Sequence, residues 1–287
     1  MMPGLLNGLL WLLHWIPFRL MSRLGGILGE LLYRFAGERR QVGEINLKLC
    51  FPAMPDAERA ALLRRHFRMM ARAFLEYAYS WHANADELRR LVRVEGMEHL
   101  EALRDRPVIL FAGHFTGLEI CGLRLSVDVP MIDIFTHQKH DGLDELMRAK
   151  RGRFGGRLVA RQEGIRPILR ALKEGWRLYY LPDQDLGERE SVFLPFFGVQ
   201  AATITALSRL AQSTGAAVVP CFPYREENGY VMRIEAPLPD FPSDDPVADA
   251  ARMNLELEGR ILHAPEQYFW LHKRFKTRPP GEARFYD

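Results

Sequence analysis

Cysteine is scarce in this chain of 287 residues, which has only Cys50, Cys121 and Cys221. They are odd in number, far apart and form no CxxC pair, which excludes a disulfide framework and a cysteine zinc site. The expectation is three small buried or half-buried thiols in a reducing compartment. The histidines lack metal-ligand spacing: His137 and His140 are three apart, but no third ligand accompanies them. GxGxxG, GxxxxGK[ST] and GxSxG are all absent, so nucleotide cofactors and α/β-hydrolase chemistry have no motif behind them. Neither a metal nor a cofactor is expected. Charge of one sign is also missing: 39 Lys and Arg face 36 Asp and Glu, for a net +3. Arg is interspersed with Glu, without the basic block of a nucleic-acid arm, and no nucleic-acid partner is expected.

Long apolar runs are few. Leu5 to Leu13 is nearly all apolar and is followed by Trp15, but His14 and Arg19 interrupt it. It lacks the basic leader and small-residue cleavage site of a signal peptide. Two membrane readings stand: an anchor from Pro3 to about Leu20 with Arg19 at the interface, or an amphipathic helix lying in the surface. An ordinary core helix is the third. If the segment spans, the basic residues after it put the body on the cytoplasmic side. Met21 to Phe35 reads as a second apolar helix, whose Gly25, Gly26 and Gly29 permit close helix packing or a shallow membrane contact. Residues 1–36 are therefore set apart as membrane-associated helices, and residues 37–287 as the main domain.

Within that domain, Gln41 to Pro52 reads as a polar stretch. Asp56 is a possible N-cap, and Ala57 to His82 has the spacing of a long amphipathic helix. Strands and helices then alternate. Val108–Phe111, Met131–Thr136, Arg177–Leu181 and Ala217–Phe222 read as strands, and Tyr230–Glu235 as a half-exposed one. Leu118–Leu125, Gly142–Arg151, Arg166–Lys173, Thr203–Ser213 and Val247–Leu262 read as helices. This order predicts an α/β fold, a mixed sheet flanked by helices.

Chemistry concentrates at strand ends. A strand ending at Gly113 delivers His114 to the carboxyl edge of the sheet, where ligands of open α/β sheets collect. Imidazole takes a proton near neutral pH and suits general-base work on a hydroxyl. Glu119 follows five residues later and meets His114 only if the ring points back over the first helical turn; otherwise it is an unrelated surface acid. Asp183, Gln184 and Asp185 end another strand, either as a turn or as partners for a metal, a sugar hydroxyl or an Arg. Lys139, Arg148, Lys150, Arg151, Arg153, Arg157 and Arg161 crowd around Gly155 and Gly156, facing phosphates or simply solvent. A basic run from His272 to Arg278 ends the pattern, suited to lipid phosphates or an acidic partner.

Several segments occur in an order that resembles a family. These are Asn46 to Pro52, Gly113 to Glu119, Leu181 to Asp185, Val192 to Gly198 and Pro265 to Pro279, behind the apolar N-terminus. The chain resembles the late acyltransferases of lipid A biosynthesis, the lauroyl and myristoyl transferases of Gram-negative bacteria. The resemblance implies a glycerolipid-acyltransferase-like fold at the cytoplasmic side of the inner membrane. It implies acyl carrier protein as donor and a hydroxyl of a membrane-bound lipid A precursor as acceptor; another glycolipid or phospholipid acceptor is the alternative. It makes His114 the base and Glu119 its partner in a His-x4-acid motif. Arg151, with Arg153 as the neighbouring option, and Asp183, Gln184 and Asp185 fall to substrate binding. Phe115–Leu118 departs from the Gly-Asn-Trp pattern of many relatives, which bears on acceptor and chain-length preference.

Overall fold

A computed structural model describes residues 2–286; Met1 and Asp287, the ends of the two ranges drawn above, lie outside the described residues. The first part is helical: α1 (Met2–His14), α2 (Phe18–Phe35), α3 (Gly37–Cys50) and α4 (Asp56–Ser80). Then come α5 (Ala85–Leu91), β1 (Val92–Glu95), α6 (Met97–Glu101), β2 (Val108–Phe111), α7 (Leu118–Ser126), β3 (Met131–Phe135), α8 (Asp141–Gly152) and β4 (Arg157–Ala160). They are followed by α9 (Arg166–Lys173), β5 (Arg177–Tyr180), β6 (Ser191–Phe196), β7 (Val199–Ile204), α10 (Ala206–Thr214), β8 (Ala217–Glu226), β9 (Gly229–Ile234) and α11 (Pro246–His263).

Seven strands form one mixed sheet in the order β1-β9-β8-β2-β5-β3-β4. Only the β8–β9 pair is antiparallel. The expected α/β sheet with flanking helices is therefore present. β2 lies at its centre and is buried along its whole length. Ile109 and Phe111 enter one core while Val108 and Leu110 enter the other, as strand alternation requires of a strand covered on both faces. All three cysteines are free and buried.

The N-terminal anchor is corrected as a span. No helix among the described residues is long and apolar enough to cross a membrane. α1 has 13 residues, about 20 Å of helix against a hydrocarbon core of about 30 Å. Its end is held by His14, whose ring stacks on Tyr79. The α2 glycines face α4. A Cβ on Gly29 would lie 2.4 Å from the Cα of Arg68, and one on Gly25 2.6 Å from that of Arg72. Their absence lets the two backbones touch. The opposite face of α2 carries Leu20, Leu24, Ile27 and Leu31, all exposed, in one stripe at helical spacing.

Three other expectations change. The polar stretch from Gln41 is most of helix α3, whose Val42, Asn46, Leu47 and Cys50 make a buried face. β9 is buried nearly throughout, because β1 covers its outer edge and the Tyr230 hydroxyl donates to buried Glu76 on α4. The helix read from Thr203 starts at Ala206, since Thr203 belongs to the hairpin β6–β7. Phe197 and Gly198 form its turn, both with positive φ, as a tight two-residue hairpin connection demands.

Candidate active site

His114 and Asp183 follow adjacent parallel strands. The β2–β5 register sets Phe111 opposite Tyr180, and the same offset carried past the strand ends sets His114 opposite Asp183. Asp183 is buried and grips its partner twice: Oδ2 accepts the His114 backbone N–H at 2.8 Å, and Oδ1 accepts Nδ1–H at 2.6 Å. A carboxylate can only accept, so Nδ1 carries the proton and Nε2 is the basic nitrogen. Nε2 has no hydrogen-bond partner among the described residues, and the ring lines a cleft. Burial presses the imidazole pKa down, but the Asp183 charge and hydrogen bond together outweigh it and hold His114 above its ordinary value. Burial would raise the pKa of Asp183 as well; the His114 charge and hydrogen bonds keep it below the usual carboxylate range. Burial and the nearby Asp183 charge hold the Tyr268 phenol well above its ordinary value.

The pairing of His114 with Glu119 is corrected: the carboxylate on the ring is that of Asp183. Glu119 stands in the first turn of α7 and points to the opposite wall. It accepts Trp81 Nε1–H at 3.0 Å and is clamped by Arg151 through Nε at 3.0 Å and Nη2 at 2.6 Å. This fork geometry is the strong form of an ion pair. Burial lowers the pKa of Arg151, but Glu119 more than restores it. His114, Glu119 and Arg151 line one cleft of about 1020 Å³, counting space open to solvent.

The other sequence-selected residues divide. Gln184 lines a small cavity beside His114. Asp185 is buried and spent on structure, accepting from Gly187 N, Thr277 N and Thr277 Oγ1. Much of the basic cluster is likewise built in: Arg153 donates to the carbonyls of Ser80 and Ala83, and Arg157 pairs with Glu174. The C-terminal run is no free basic tail. Arg274 is buried, donates to Ala202 O and lies over Phe196. The segment before it forms a wall of the site: Phe269 N–H donates to His114 O, Thr116 N–H to Gln267 O, and Phe115 bridges Tyr268. Thr116 Oγ1 is buried without a partner, so nothing activates it as a nucleophile. Trp81 and Tyr268 escaped the sequence reading because each reaches the site from a distant element. Asp133 escaped too, although a lone acid inside the apolar strand Met131–Phe135 is a signal.

The family model for bacterial lipid A biosynthesis acyltransferases matches residues 3–277. The chain belongs to that family. It is an acyltransferase, similar to a lipid A biosynthesis lauroyltransferase of Escherichia coli (strain K12) at 36% identity over 279 residues, covering 96% of this chain and 91% of that one. A lipid A biosynthesis myristoyltransferase of the same organism is 34% identical over 93% of this chain and 83% of its own. A palmitoleoyltransferase is 32% identical over 97% and 92%. Among solved structures, a 1-acyl-sn-glycerophosphate acyltransferase from Thermotoga maritima aligns over 86% of this chain and 99% of that one, at 15% identity and a TM-score of 0.41.

Proposed function

We propose that this acyltransferase moves a fatty acyl chain from an acyl carrier protein thioester to a hydroxyl of a lipid A precursor, at the cytoplasmic face of the inner membrane. The observation that carries the reading is the His114–Asp183 pair, with Nε2 unpartnered on the cleft side. As the acceptor oxygen attacks the thioester carbonyl carbon, Nε2 takes its proton. The C–S bond then breaks and the imidazolium returns that proton to the departing thiolate. Asp183 stays ionised throughout, holding the tautomer and stabilising the imidazolium, as the third member of a catalytic triad does. Glu119 acts at one remove: it fixes Arg151 in the cleft wall, where a cation suits the phosphates of an anionic acceptor.

The membrane contact is assigned to the outer faces of α1 and α2. Trp11, Trp15, Leu24, Ile27 and Leu31 are exposed there, beside exposed Arg19 and Arg23. Apolar and aromatic residues flanked by cations make an interfacial helix on an anionic leaflet.

The test is direct. Purified protein mixed with acyl carrier protein thioesters and a lipid A precursor should yield acylated precursor by mass spectrometry. Release of free fatty acid alone would make the protein a hydrolase. Product only on another glycolipid or a phospholipid would move the acceptor.

A further inference from the structure

The cleft beneath His114 has an unusual floor. Asp133 on β3 and Tyr179 on β5 are register partners, side by side on one face of the sheet, and both line the cleft. Tyr179 is 5% exposed, and its hydroxyl is buried with no hydrogen-bond partner. A buried phenol left unpaired costs about 1–3 kcal/mol, and native proteins rarely leave one so. Asp133 is half-buried, lines the cleft and likewise accepts no hydrogen bond among the described residues. Burial, against the nearby Arg151 charge and with that of Glu119, pushes its carboxyl up to about 7. Gly122 keeps the floor open, since a Cβ there would already touch the Tyr179 ring at 3.7 Å. Leu118, Leu123, Ile134 and Met147 stand in the walls, beside the polar Ser126, Thr136 and Gln138 and the Glu119–Arg151 pair.

A buried phenol beside a carboxyl, neither with a hydrogen-bond partner among the described residues, is a poor resting place for the methyl end of a chain. We infer that Asp133 and Tyr179 form a subsite for a hydroxyl group carried on the part of a substrate that enters the cleft. The inference rests on the acyl-transfer reading for which substrate that is, but not for the subsite itself. The phenol donates to the hydroxyl oxygen and the hydroxyl donates to the Asp133 carboxylate, so both orphaned groups are satisfied at once. Tyr179 pairs across the sheet with Leu110, four residues before His114. At about 3.3 Å per strand residue, those four residues span about 13 Å of backbone, which sets the scale of the subsite's depth below the base.

The test measures binding to the full chain of dodecanoate and a series of hydroxydodecanoates differing in hydroxyl position. At least one isomer should bind tenfold or more tighter than dodecanoate, and its position on the chain reports the depth of the floor. Tyr179→Phe, which removes one oxygen and keeps the ring, should reduce that preference to within about twofold, as should Asp133→Leu. Equal affinity for all isomers, or a preference that survives both substitutions, overturns the subsite. Transfer assays with hydroxylated and plain donors, and with acceptors keeping or lacking a hydroxyl, then tell which substrate brings the group. Isomer-selective binding without transfer from any donor would overturn the acyl-transfer reading and leave the subsite standing.

Discussion

His114 and Asp183 sit at equivalent positions on neighbouring parallel strands, three residues beyond the last paired residues, Phe111 and Tyr180. Their contact is set by the register of the sheet's centre rather than by a loop. Two hydrogen bonds to one buried carboxylate then leave the imidazole a single orientation. A base held by rigid elements loses little in reorganisation when the reaction begins.

Asp183→Asn should lower kcat/KM on the order of 10³-fold, since the imidazolium loses its counter-charge. The sign of the pH effect follows from the raised pKa of His114. In the native protein the base is lost as pH falls through a value above the ordinary 6.5. Without the anion that acid limb should move to lower pH. An unmoved limb in the pH–rate profile would assign it to another group.

Glu119→Gln should lower the rate about ten- to a hundredfold without moving the limb, because Glu119 touches Arg151 and Trp81 and not the base. It leaves a largely buried guanidinium short of its counter-ion, at about 2 kcal/mol of stability. Replacing Arg151 with Met as well should restore the denaturation midpoint but not the activity. Recovery of both would reduce the ion pair to a structural role.

Gly29→Val should destabilise the fold by about 2 kcal/mol or more, since the new Cβ meets the Arg68 backbone, which cannot yield. Gly37→Ala is the control, with nothing within 4 Å of its added carbon. Thermal melts of the two variants read the difference.

Replacing Leu24, Ile27 and Leu31 with Gln should release the protein from anionic vesicles in a flotation assay while leaving its melting temperature within a degree or two. All three side chains are exposed and contribute little to the fold. Undiminished binding would place the membrane contact elsewhere.

His66 makes stability acid-sensitive. Burial drives its pKa down from 6.5 to about 4. A lowered folded-state value means that stability is fully present above 6.5 and is lost as pH falls towards 4. The unfolded chain binds a proton there that the folded one refuses, a cost on the order of 3 kcal/mol. His272, also near 4, acts in the same direction. Denaturation midpoints should fall through this window, and less steeply in His66→Gln. A slope unchanged by that substitution would exonerate His66.

Strands β2, β3, β5 and β8 were legible because each carries a short apolar run between turn residues, and strand Val108–Phe111 and helix Arg166–Lys173 match to the residue. β1, β4 and the β6–β7 hairpin were not: β1 and β4 mix charges with apolar residues, and the uncharged hairpin strands are interrupted by Pro195 and Gln200, so only pairing makes them strands. In the same way His114 and Asp183 were each visible as polar residues at strand ends. Their partnership depends on strand order, which places β5 beside β2 although 65 residues separate Phe111 from Arg177 at the nearest ends. Spacing left Glu119 open and the family resemblance made it the partner, because a local motif is something that sequence can show and a sheet crossover is not.

The strip from Gln267 to Trp270 is tied at both ends to what came long before it: its backbone pairs with His114 and Thr116, and Asn46 holds the Trp270 carbonyl across 224 positions of chain. Contacts of such span are the slow ones to form. A nascent polypeptide halted after Asp183 but before residue 267 would carry His114 and Asp183 but lack the backbone strip that pairs with His114 and Thr116. The site is thus finished only when synthesis has passed that point, and a fragment released early lacks one of its walls.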